Sequence, residues 1–390
     1  MIEDLEELVG CESFSSDLEA VARSAKVVAA MGARHLGAQP ETIVVDGVTH
    51  LRWTFGEPKV LLLGHHDTVW PIGTLATHPW SVVDGIARGP GVFDMKAGLV
   101  QMFHALAGLE TLDGVSVLVT GDEEAGSITS RALIEDSARG LAAAFVLEAS
   151  ADGGALKTAR KGTSDYTLTV HGKAAHAGLE PWKGANAGIE LAHQILTIAG
   201  MAAVVDSDEP GGAGGQGGPG GPGGSGDAAA PAGSGGPVAG TTVTPTVLSG
   251  GTTVNTVPAL AHVGVDVRVP TLAAQAKVDT LMRALSPRLE GIRLEVRGGP
   301  NRPPMEAAQS ARLFALAQRL AEGLGLGALT SASVGGASDG NFTAGLGVPT
   351  LDGLGAVGGG AHADHEHVVV AELPRRMELL RALVRAVLAA

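Results

Sequence analysis

The chain has 390 residues, of which 45% are hydrophobic and 17% are charged, and its formal net charge at pH 7 is −14. A chain of this length predicts two domains, and its negative charge argues against a nucleic acid or an anionic membrane as a partner. The single cysteine, Cys11, excludes an intrachain disulfide and argues against a thiolate metal site. The N-terminus is acidic, which argues against a signal peptide. The sequence has no long uncharged apolar run, so we expect no membrane-spanning helix and a cytoplasmic protein.

The first half of the chain alternates helix and strand signals. Ser16 and Asp17 can cap a helix that begins at Leu18. Short, continuously apolar segments, which suit buried strands, are separated by segments with helical character. The predicted strands are 60–63, 115–120 and 144–147, and the predicted helices are 18–31, 96–109 and 127–137. This order predicts an α/β domain whose largely parallel sheet is covered by helices on both faces.

The pattern changes after about residue 160. The order β-α-β-β-α-β then predicts a small ferredoxin-like α+β domain. Its strands are 166–170, 241–248, 262–269 and 293–296, and its helices are 186–198 and 272–289. The α/β pattern returns in helix 309–320, strand 348–351 and helix 371–389. We therefore expect a catalytic domain formed by 1–160 and 300–390, with an inserted domain over 161–299.

A glycine-rich stretch interrupts the inserted domain. Of the 30 residues 211–240, 15 are glycine, and most of the others are Pro, Ser and Ala. Such a segment buries too little side chain to offset its ordering entropy, so we expect a disordered insertion over 205–240. A phosphate-binding loop would need a fixed lysine and a flanking strand and helix, which this stretch lacks.

Residues that suit a metal site follow the predicted strands. His65 and Asp67 come directly after strand 60–63, two positions apart, so they point the same way on an extended segment. One can bind a metal while the other orients it, and the spacing alone does not decide between His65 and His66 as ligand. Asp94 follows the Gly89-Pro90-Gly91 turn. Taken singly, each is more often a structural residue or a solvated loop residue.

Three further acidic positions and a histidine complete the set. Glu123 and Glu124 are adjacent, so one can bind metal while the other faces a substrate, although an acidic helix N-terminus would look the same. Glu148 ends an apolar strand, where a buried carboxylate needs a charged partner. His362 lies in a glycine-rich loop near the C-terminus. Together these residues could hold two divalent ions and leave one carboxylate as a base, which is the arrangement of a hydrolase.

In the order and context of these motifs, the chain resembles the dinuclear zinc aminoacylase/carboxypeptidase family over essentially its whole length, apart from the glycine-rich stretch. That family includes glutamate carboxypeptidase, which is the most similar, acetylornithine deacetylase and succinyl-diaminopimelate desuccinylase. The resemblance implies a mixed sheet flanked by helices, with an inserted ferredoxin-like domain that serves as dimerisation domain and lid. It implies Glu123 as general base, the ligand set His65, Asp94, Glu124, Glu148 and His362, and Asp67 as the residue that supports the ligand His65.

The resemblance also implies two metal ions that share Asp94 as a ligand. One ion would take His65, Asp94 and Glu148, and the other Asp94, Glu124 and His362. Zinc is the first expectation for both ions, with cobalt or manganese as alternatives. The family usually has an aspartate after the bridging one, where this chain has Met95.

The remaining implied residues concern the substrate. His176 resembles the histidine that stabilises the oxyanion in a partner subunit's site. Asn255 and Arg268 resemble binders of a substrate carboxylate, and Asp339 lies in a loop that resembles the substrate-side loop. We therefore expect a homodimeric hydrolase of amide bonds next to a free carboxylate in a peptide or N-acyl amino acid. A biosynthetic deacylase and a non-catalytic metal-binding scaffold are the alternatives.

Overall fold

A computed structural model describes residues 1–207 and 240–390. The chain divides into a larger unit, Met1–Arg160 with Met305–Ala390, and a smaller unit, Lys161–Pro304. The second boundary follows Pro304, whereas the sequence pattern predicts it after residue 299. Most of the predicted disordered insertion, 205–240, lies outside the described residues. Its first two residues, Val205 and Asp206, belong to a helix.

Ten α-helices are present in the described residues. They are α1 (Ile2–Gly10), α2 (Leu18–Leu36), α3 (Ala97–Ala107), α4 (Arg131–Ala138), α5 (Ala187–Ala199), α6 (Met201–Asp206), α7 (Leu272–Arg283), α8 (Ala307–Gly323), α9 (Gly340–Gly345) and α10 (Glu372–Leu388). Asp17 accepts a hydrogen bond from the backbone of Ala20, so it caps α2 as its sequence position predicts.

Sixteen strands are present in the same residues. They are β1 (Glu41–Val45), β2 (Val48–Thr54), β3 (Val60–His65), β4 (Ser81–Val83), β5 (Ile86–Arg88), β6 (Val115–Thr120), β7 (Ala143–Val146), β8 (Leu156–Arg160), β9 (Gly162–His171), β10 (Thr242–Gly250), β11 (Leu260–Val269), β12 (Arg293–Pro300), β13 (Ser331–Val334), β14 (Thr350–Leu351), β15 (Gly358–Gly359) and β16 (His367–Val369).

The larger unit is built on a six-stranded mixed sheet with the order β1-β2-β6-β3-β7-β14. The pairs β6-β3, β3-β7 and β7-β14 are parallel, while β1 and β2 run antiparallel to their neighbours. Strands β3, β6 and β7 are buried along their whole length. This explains their continuously apolar sequences, because helices pack on both faces of the sheet. The mixed sheet flanked by helices is confirmed.

The smaller unit has an antiparallel sheet with the order β10-β11-β9-β12. Along the chain its elements run β-α-β-β-α-β, with α6 continuing the first helical segment. The strand order of the sheet and the connections between its elements are those of a ferredoxin-like domain, as predicted. By length and composition alone, the helical stretch Ala187–Asp206 could cross a membrane. Its α5 portion packs with Leu191 and Ile198 in the core beside the sheet.

Several predicted boundaries are wrong for local reasons. The helix predicted over 127–137 begins only at Arg131, because residues 121–130 form a turn fixed by the carboxylate of Asp122. The helix predicted over 272–289 ends at Arg283, and the strand predicted over 348–351 is reduced to Thr350–Leu351. Helix α1 and the β1-β2 hairpin have no counterpart among the predicted elements.

Candidate metal centre

The candidate site lies at the carboxyl ends of three neighbouring parallel strands. His65 is the last residue of β3, and its register partner, Thr120, is the last residue of β6. Glu148 lies two residues beyond the end of β7. Because parallel strands end at the same edge of a sheet, their continuations meet there, which is where open α/β sheets place their sites.

Asp67 connects the histidine to the acidic pair. Its carboxylate lies 3.4 Å from Nδ1 of His65 and accepts hydrogen bonds from the backbone amides of Glu123 and Glu124. Ser15 donates a further hydrogen bond of 2.7 Å to it. Asp67 is only 1% exposed, so a single buried carboxylate sets the positions of both segments. This arrangement is consistent with a supporting role.

The ring of His65 is oriented by its Nδ1 atom, which lies 3.0 Å from the carbonyl oxygen of Asp67. This contact places the proton on Nδ1 and leaves the lone pair of Nε2 directed into the acidic cluster. The neighbouring His66 instead directs Nε2 at the carbonyl oxygen of Thr49, at 3.0 Å. The structure therefore selects His65 over His66 as the histidine of the cluster, which the spacing of the sequence left open.

The side chains of the cluster form two groups that meet at Asp94. Nε2 of His65 lies 3.4 Å from Oδ1 of Asp94 and 3.6 Å from Oε1 of Glu148. Nε2 of His362 lies 3.3 Å from Oδ2 of Asp94 and 3.1 Å from Oε1 of Glu124. Each oxygen of Asp94 thus faces a different histidine, so this carboxylate has the position of a bridge.

These distances fit a pair of divalent ions. Ligand atoms about 2.0–2.1 Å from a tetrahedral zinc lie about 3.3–3.4 Å apart, close to the four distances measured here. Nε2 of His65 is buried and has no hydrogen-bond partner among the described residues. A lone pair directed at carboxylate oxygens is unfavourable without a cation between them. Imidazole nitrogen and carboxylate oxygen are ligands that zinc, cobalt and manganese accept.

The electrostatics of the cluster follow from its burial and its charges. Burial lowers the pKa of His65, but the carboxylates of Asp67, Asp94 and Glu148 outweigh it and raise that pKa well above its usual range. Contacts with Asp94 and Glu124 raise the pKa of His362 to about 10. Burial raises the pKa of Glu124. The carboxylates therefore hold positive charge at both histidines, and a bound cation would supply it instead.

The loop that carries Asp94 is held from behind by Glu366. The carboxylate of Glu366 accepts hydrogen bonds from the backbone amides of Gly91, Phe93 and Asp94 and from the indole of Trp70. Glu366 is fully buried and stands four residues after His362. One side chain therefore connects the loop of the bridging aspartate to the loop of the second histidine.

A buried arginine fixes the far side of Glu148. The Arg160 guanidinium donates to both oxygens of Asp352, at 2.7 and 3.3 Å, and lies 3.8 Å from Oε2 of Glu148. Asp352 also accepts a 2.6 Å hydrogen bond from Ser338. Oε1 of Glu148 faces His65, so its two oxygens are divided between the histidine and the arginine.

Glu123 lies beside the first group. Its carboxylate oxygen is within 4.8 Å of the ligand atoms of His65 and Glu148, and the residue is 8% exposed. The expected substrate-side residue Asp339 is 2% exposed and accepts hydrogen bonds from Thr120 and Ser127. These two hydrogen bonds connect Asp339 to the end of β6 and to the turn that carries Glu123.

His362 has an unusual backbone. Its φ of 62° lies in the left-handed region, which residues other than glycine rarely adopt. Its side chain is about half exposed, in contrast to the buried His65. Local strain of this kind concentrates at functional sites.

The three remaining expected residues belong to the smaller unit. His176 and Asn255 are both exposed, and their loops are joined by the hydrogen bond from the Ala177 amide to the Asn255 carbonyl oxygen. Arg268 is half-buried and forms hydrogen bonds of 2.8–3.1 Å through Nε and Nη2 to the carboxylate of Asp266. The edge formed by Nη1 has no partner among the described residues.

Apart from Asp67, the residues that support the candidate ligands are not predicted by the sequence. Glu366 and Asp352 act on partners 275 and 192 positions away, respectively. No local pattern signals such pairs.

Comparison with known proteins supports this reading of the fold. Carboxypeptidase G2 of Pseudomonas sp. is 27% identical over 98% of this chain and 88% of its own length. A succinyl-diaminopimelate desuccinylase of Corynebacterium glutamicum is 33% identical, but over only 37% of this chain and 40% of that protein. An M20 family metallo-carboxypeptidase of Sulfolobus solfataricus has the same fold, with a TM-score of 0.71 at 15% identity, covering 100% of this chain and 99% of that one.

Fold and relatives define a metal-dependent peptidase or amidohydrolase. The profile described as peptidase family M20/M25/M40 matches residues 61–386, which is most of the chain. The chain belongs to this family, as its resemblance to dinuclear zinc peptidases predicts.

Proposed function

We propose that this enzyme hydrolyses an amide bond next to a free carboxylate, releasing the C-terminal residue of a peptide or cleaving an N-acyl amino acid. The observation that carries the proposal is the division of Asp94 between two histidine–carboxylate groups, with Glu123 beside them. We assign one divalent ion to His65, Asp94 and Glu148 and a second to Asp94, Glu124 and His362, with zinc as first choice. When bound, such ions polarise a carbonyl and lower the pKa of a water molecule towards neutrality.

Glu123 is the base in this proposal. Its carboxylate accepts a proton from the attacking water and later delivers it to the leaving nitrogen. The hydrogen bond from its own amide to Asp67 supports this role, because it fixes the backbone of the residue that moves the proton. Asp67 therefore orients both the base and the ring of His65.

Positive groups support a substrate with a free carboxylate. Lys157 lies close enough to Glu148 and Asp94 for their charges to affect it, although burial and the nearby Arg160 lower its pKa overall. Its ammonium has no hydrogen-bond partner among the described residues. In the smaller unit, the unpaired Nη1 edge of Arg268 could hold a carboxylate, with Asn255 assisting, and His176 would stabilise the oxyanion. The overall likeness to carboxypeptidase G2 agrees with this substrate class.

A biosynthetic deacylase is the second candidate, favoured by the partial likeness to a desuccinylase. A panel of N-acyl amino acids and dipeptides, each with a free and an amidated carboxylate and assayed with zinc and with cobalt, separates the two. A carboxypeptidase selects the C-terminal residue and accepts varied groups on its nitrogen, whereas a deacylase prefers one short acyl group. Equal rates for acids and amides would contradict the requirement for a free carboxylate.

We predict that Glu123→Gln keeps its metal content and loses turnover. The amide fills the same space but cannot accept a proton, and loss of a general base typically costs ~10²–10⁴-fold in rate. Metal content and kcat are measured together on the purified variant. Glu110→Gln, at an exposed position, is the control and should retain full activity. A metal-replete Glu123→Gln enzyme with near-normal kcat would rule out Glu123 as the base.

A further inference from the structure

A second histidine–carboxylate cluster lies where three helices of the larger unit meet. Asp4 is on α1, His35 is in the last turn of α2, and His104 is in the last turn of α3. Nε2 of His35 lies 2.9 Å and Nε2 of His104 lies 2.7 Å from the same oxygen, Oδ2 of Asp4. The two rings lie 4.3 Å apart between centroids and are tilted by 49°. No residue of this cluster belongs to the candidate metal centre.

We propose that Asp4, His35 and His104 form an additional site for a late first-row divalent ion such as zinc, copper or nickel. Two imidazoles and one carboxylate are a ligand set that such ions prefer. The ligand atoms lie within 4.8 Å of one another, and solvent molecules can complete the coordination. The three side chains are 16–26% exposed, so an ion can reach them from solution.

Charges of both signs surround this point. Helices α2 and α3 end here, and the negative end of a helix dipole stabilises positive charge, whereas the start of α1 and the N-terminal ammonium near His104 oppose it. Arg34 brings one positive charge, but it is paired with Glu7 at 2.6 Å and with Oδ1 of Asp4 at 3.1 Å. Asp4, Glu7, Arg34 and the N-terminal ammonium balance one another when both histidines are neutral, so a bound cation would be held by its direct ligands. Oδ2 of Asp4 remains directed at the imidazoles.

The histidines can change from donors to ligands with little rearrangement. In the hydrogen-bonded arrangement each ring donates its Nε2 proton to Asp4. Neither Nδ1 has a hydrogen-bond partner among the described residues, so the proton can move to Nδ1 and face solvent. The nitrogen–oxygen distances of 2.7 and 2.9 Å must widen by about 0.5 Å to reach the ~3.3–3.4 Å separation of atoms sharing a tetrahedral ion. Burial also lowers the pKa of His104, which favours its neutral, metal-binding form.

A bound ion would fasten α1 to the rest of the larger unit. Helix α1 is only nine residues long, and it already packs with Leu5, Leu8 and Val9 in the core. An ion that joins three helices binds only when all three are in place, so it stabilises the folded chain by mass action. This role is separate from catalysis and does not depend on the proposed function.

The test is zinc binding by the full chain carrying His65→Ala and His362→Ala, which removes one imidazole from each group of the candidate centre. We expect this background to bind zinc in calorimetry and to lose at least tenfold in affinity when His104→Gln is added. His193→Gln, a half-buried histidine on α5, is the matched control and should have no effect. Equal zinc affinity in the His104→Gln and His193→Gln chains would overturn the proposal.

A second measurement identifies the ligands directly. In the same background, copper(II) should give an electron paramagnetic resonance spectrum with coupling to two imidazole nitrogens, reduced to one in His35→Gln and in His104→Gln. If both nitrogens persist in either variant, the ion binds elsewhere. Circular dichroism of each variant establishes that it is folded. If His104→Gln is unfolded, His35→Gln replaces it in the calorimetry.

Discussion

The Glu366 carboxylate shows how much of the candidate centre depends on residues that would touch no metal. It is fully buried, and the three backbone amides that it binds belong to the turn that carries Asp94. Gly91 in that turn has a φ of 71°, a conformation that glycine adopts without strain. The position of the Asp94 carboxylate is therefore set by a turn and by a side chain from near the other end of the chain.

We predict that Glu366→Gln weakens metal binding while the chain stays folded. A glutamine directs an NH₂ group at one of the backbone amides, so at least one hydrogen bond is lost and the Asp94 turn can shift. Loss of such a supporting contact typically costs 10–100-fold in metal affinity. Competition with a chromophoric chelator measures the affinity, and Glu322→Gln at an exposed position is the control. Unchanged affinity would show that the turn holds its shape without Glu366.

The sequence predicts the candidate ligands of this site better than the residues that hold those ligands in place. The candidate ligand types follow from the sequence because each stands directly after a strand or a glycine turn. The division of Glu148 between His65 and Arg160 does not, because it needs the three-dimensional position of Asp352. The buried hydrogen bonds that Asp339 accepts from Thr120 and Ser127 likewise join segments far apart in the sequence, so no local pattern predicts them.

Among the secondary-structure elements, the buried parallel strands were the most predictable. Strands β3, β6 and β7 are short, mostly apolar segments bounded by turns, and this pattern identifies them in the sequence. The β1 strand was missed because most of its residues are exposed and it lacks a buried face. Helix α1 was missed because it is short and its acidic residues obscure the spacing of Leu5, Leu8 and Val9.

Asp4, on helix α1, predicts how the stability of the fold changes with pH. Burial raises the pKa of Asp4, but hydrogen bonds from His104, His35 and Arg34 outweigh it and lower that pKa to about 2. Because the folded pKa lies below the ordinary value of 3.8, Asp4 stabilises the fold above about pH 4, and this contribution is lost as the pH falls towards 2. Asp4→Asn should therefore be less stable than wild type near pH 6.

The measurement is urea unfolding of the metal-free chain at a series of pH values. The difference between wild type and Asp4→Asn should shrink steadily between pH 4 and pH 2, whatever the other carboxylates contribute. Asp136→Asn, with an exposed side chain, should give a constant small difference. A difference between wild type and Asp4→Asn that does not change with pH would mean that the three contacts do not stabilise the charged form of Asp4.

On the scale of the whole molecule, the smaller unit has a surface suited to self-association. Strand β10 is at one edge of its sheet, and an edge strand can pair with a strand of another chain. Large apolar side chains on this unit are at least half exposed, among them Leu179, Trp182, Ile189, Leu196, Val247 and Leu248. Ile189 and Leu196 are seven positions apart on α5, so they share one helix face. These features support the proposal of a homodimer.

If the homodimer forms, His176 can act in the site of the other chain, and complementation tests this. His176→Ala and Glu123→Gln should each be inactive alone. After subunit exchange, a mixed dimer has one site that combines the intact Glu123 of one chain with the intact His176 of the other, so activity should return in one of its two sites. The control mixes His176→Ala with the double variant His176→Ala/Glu123→Gln, in which no complete site can form. Exchange is verified by mass spectrometry of differently labelled chains. If the first mixture stays as inactive as the control despite exchange, His176 does not act across the interface.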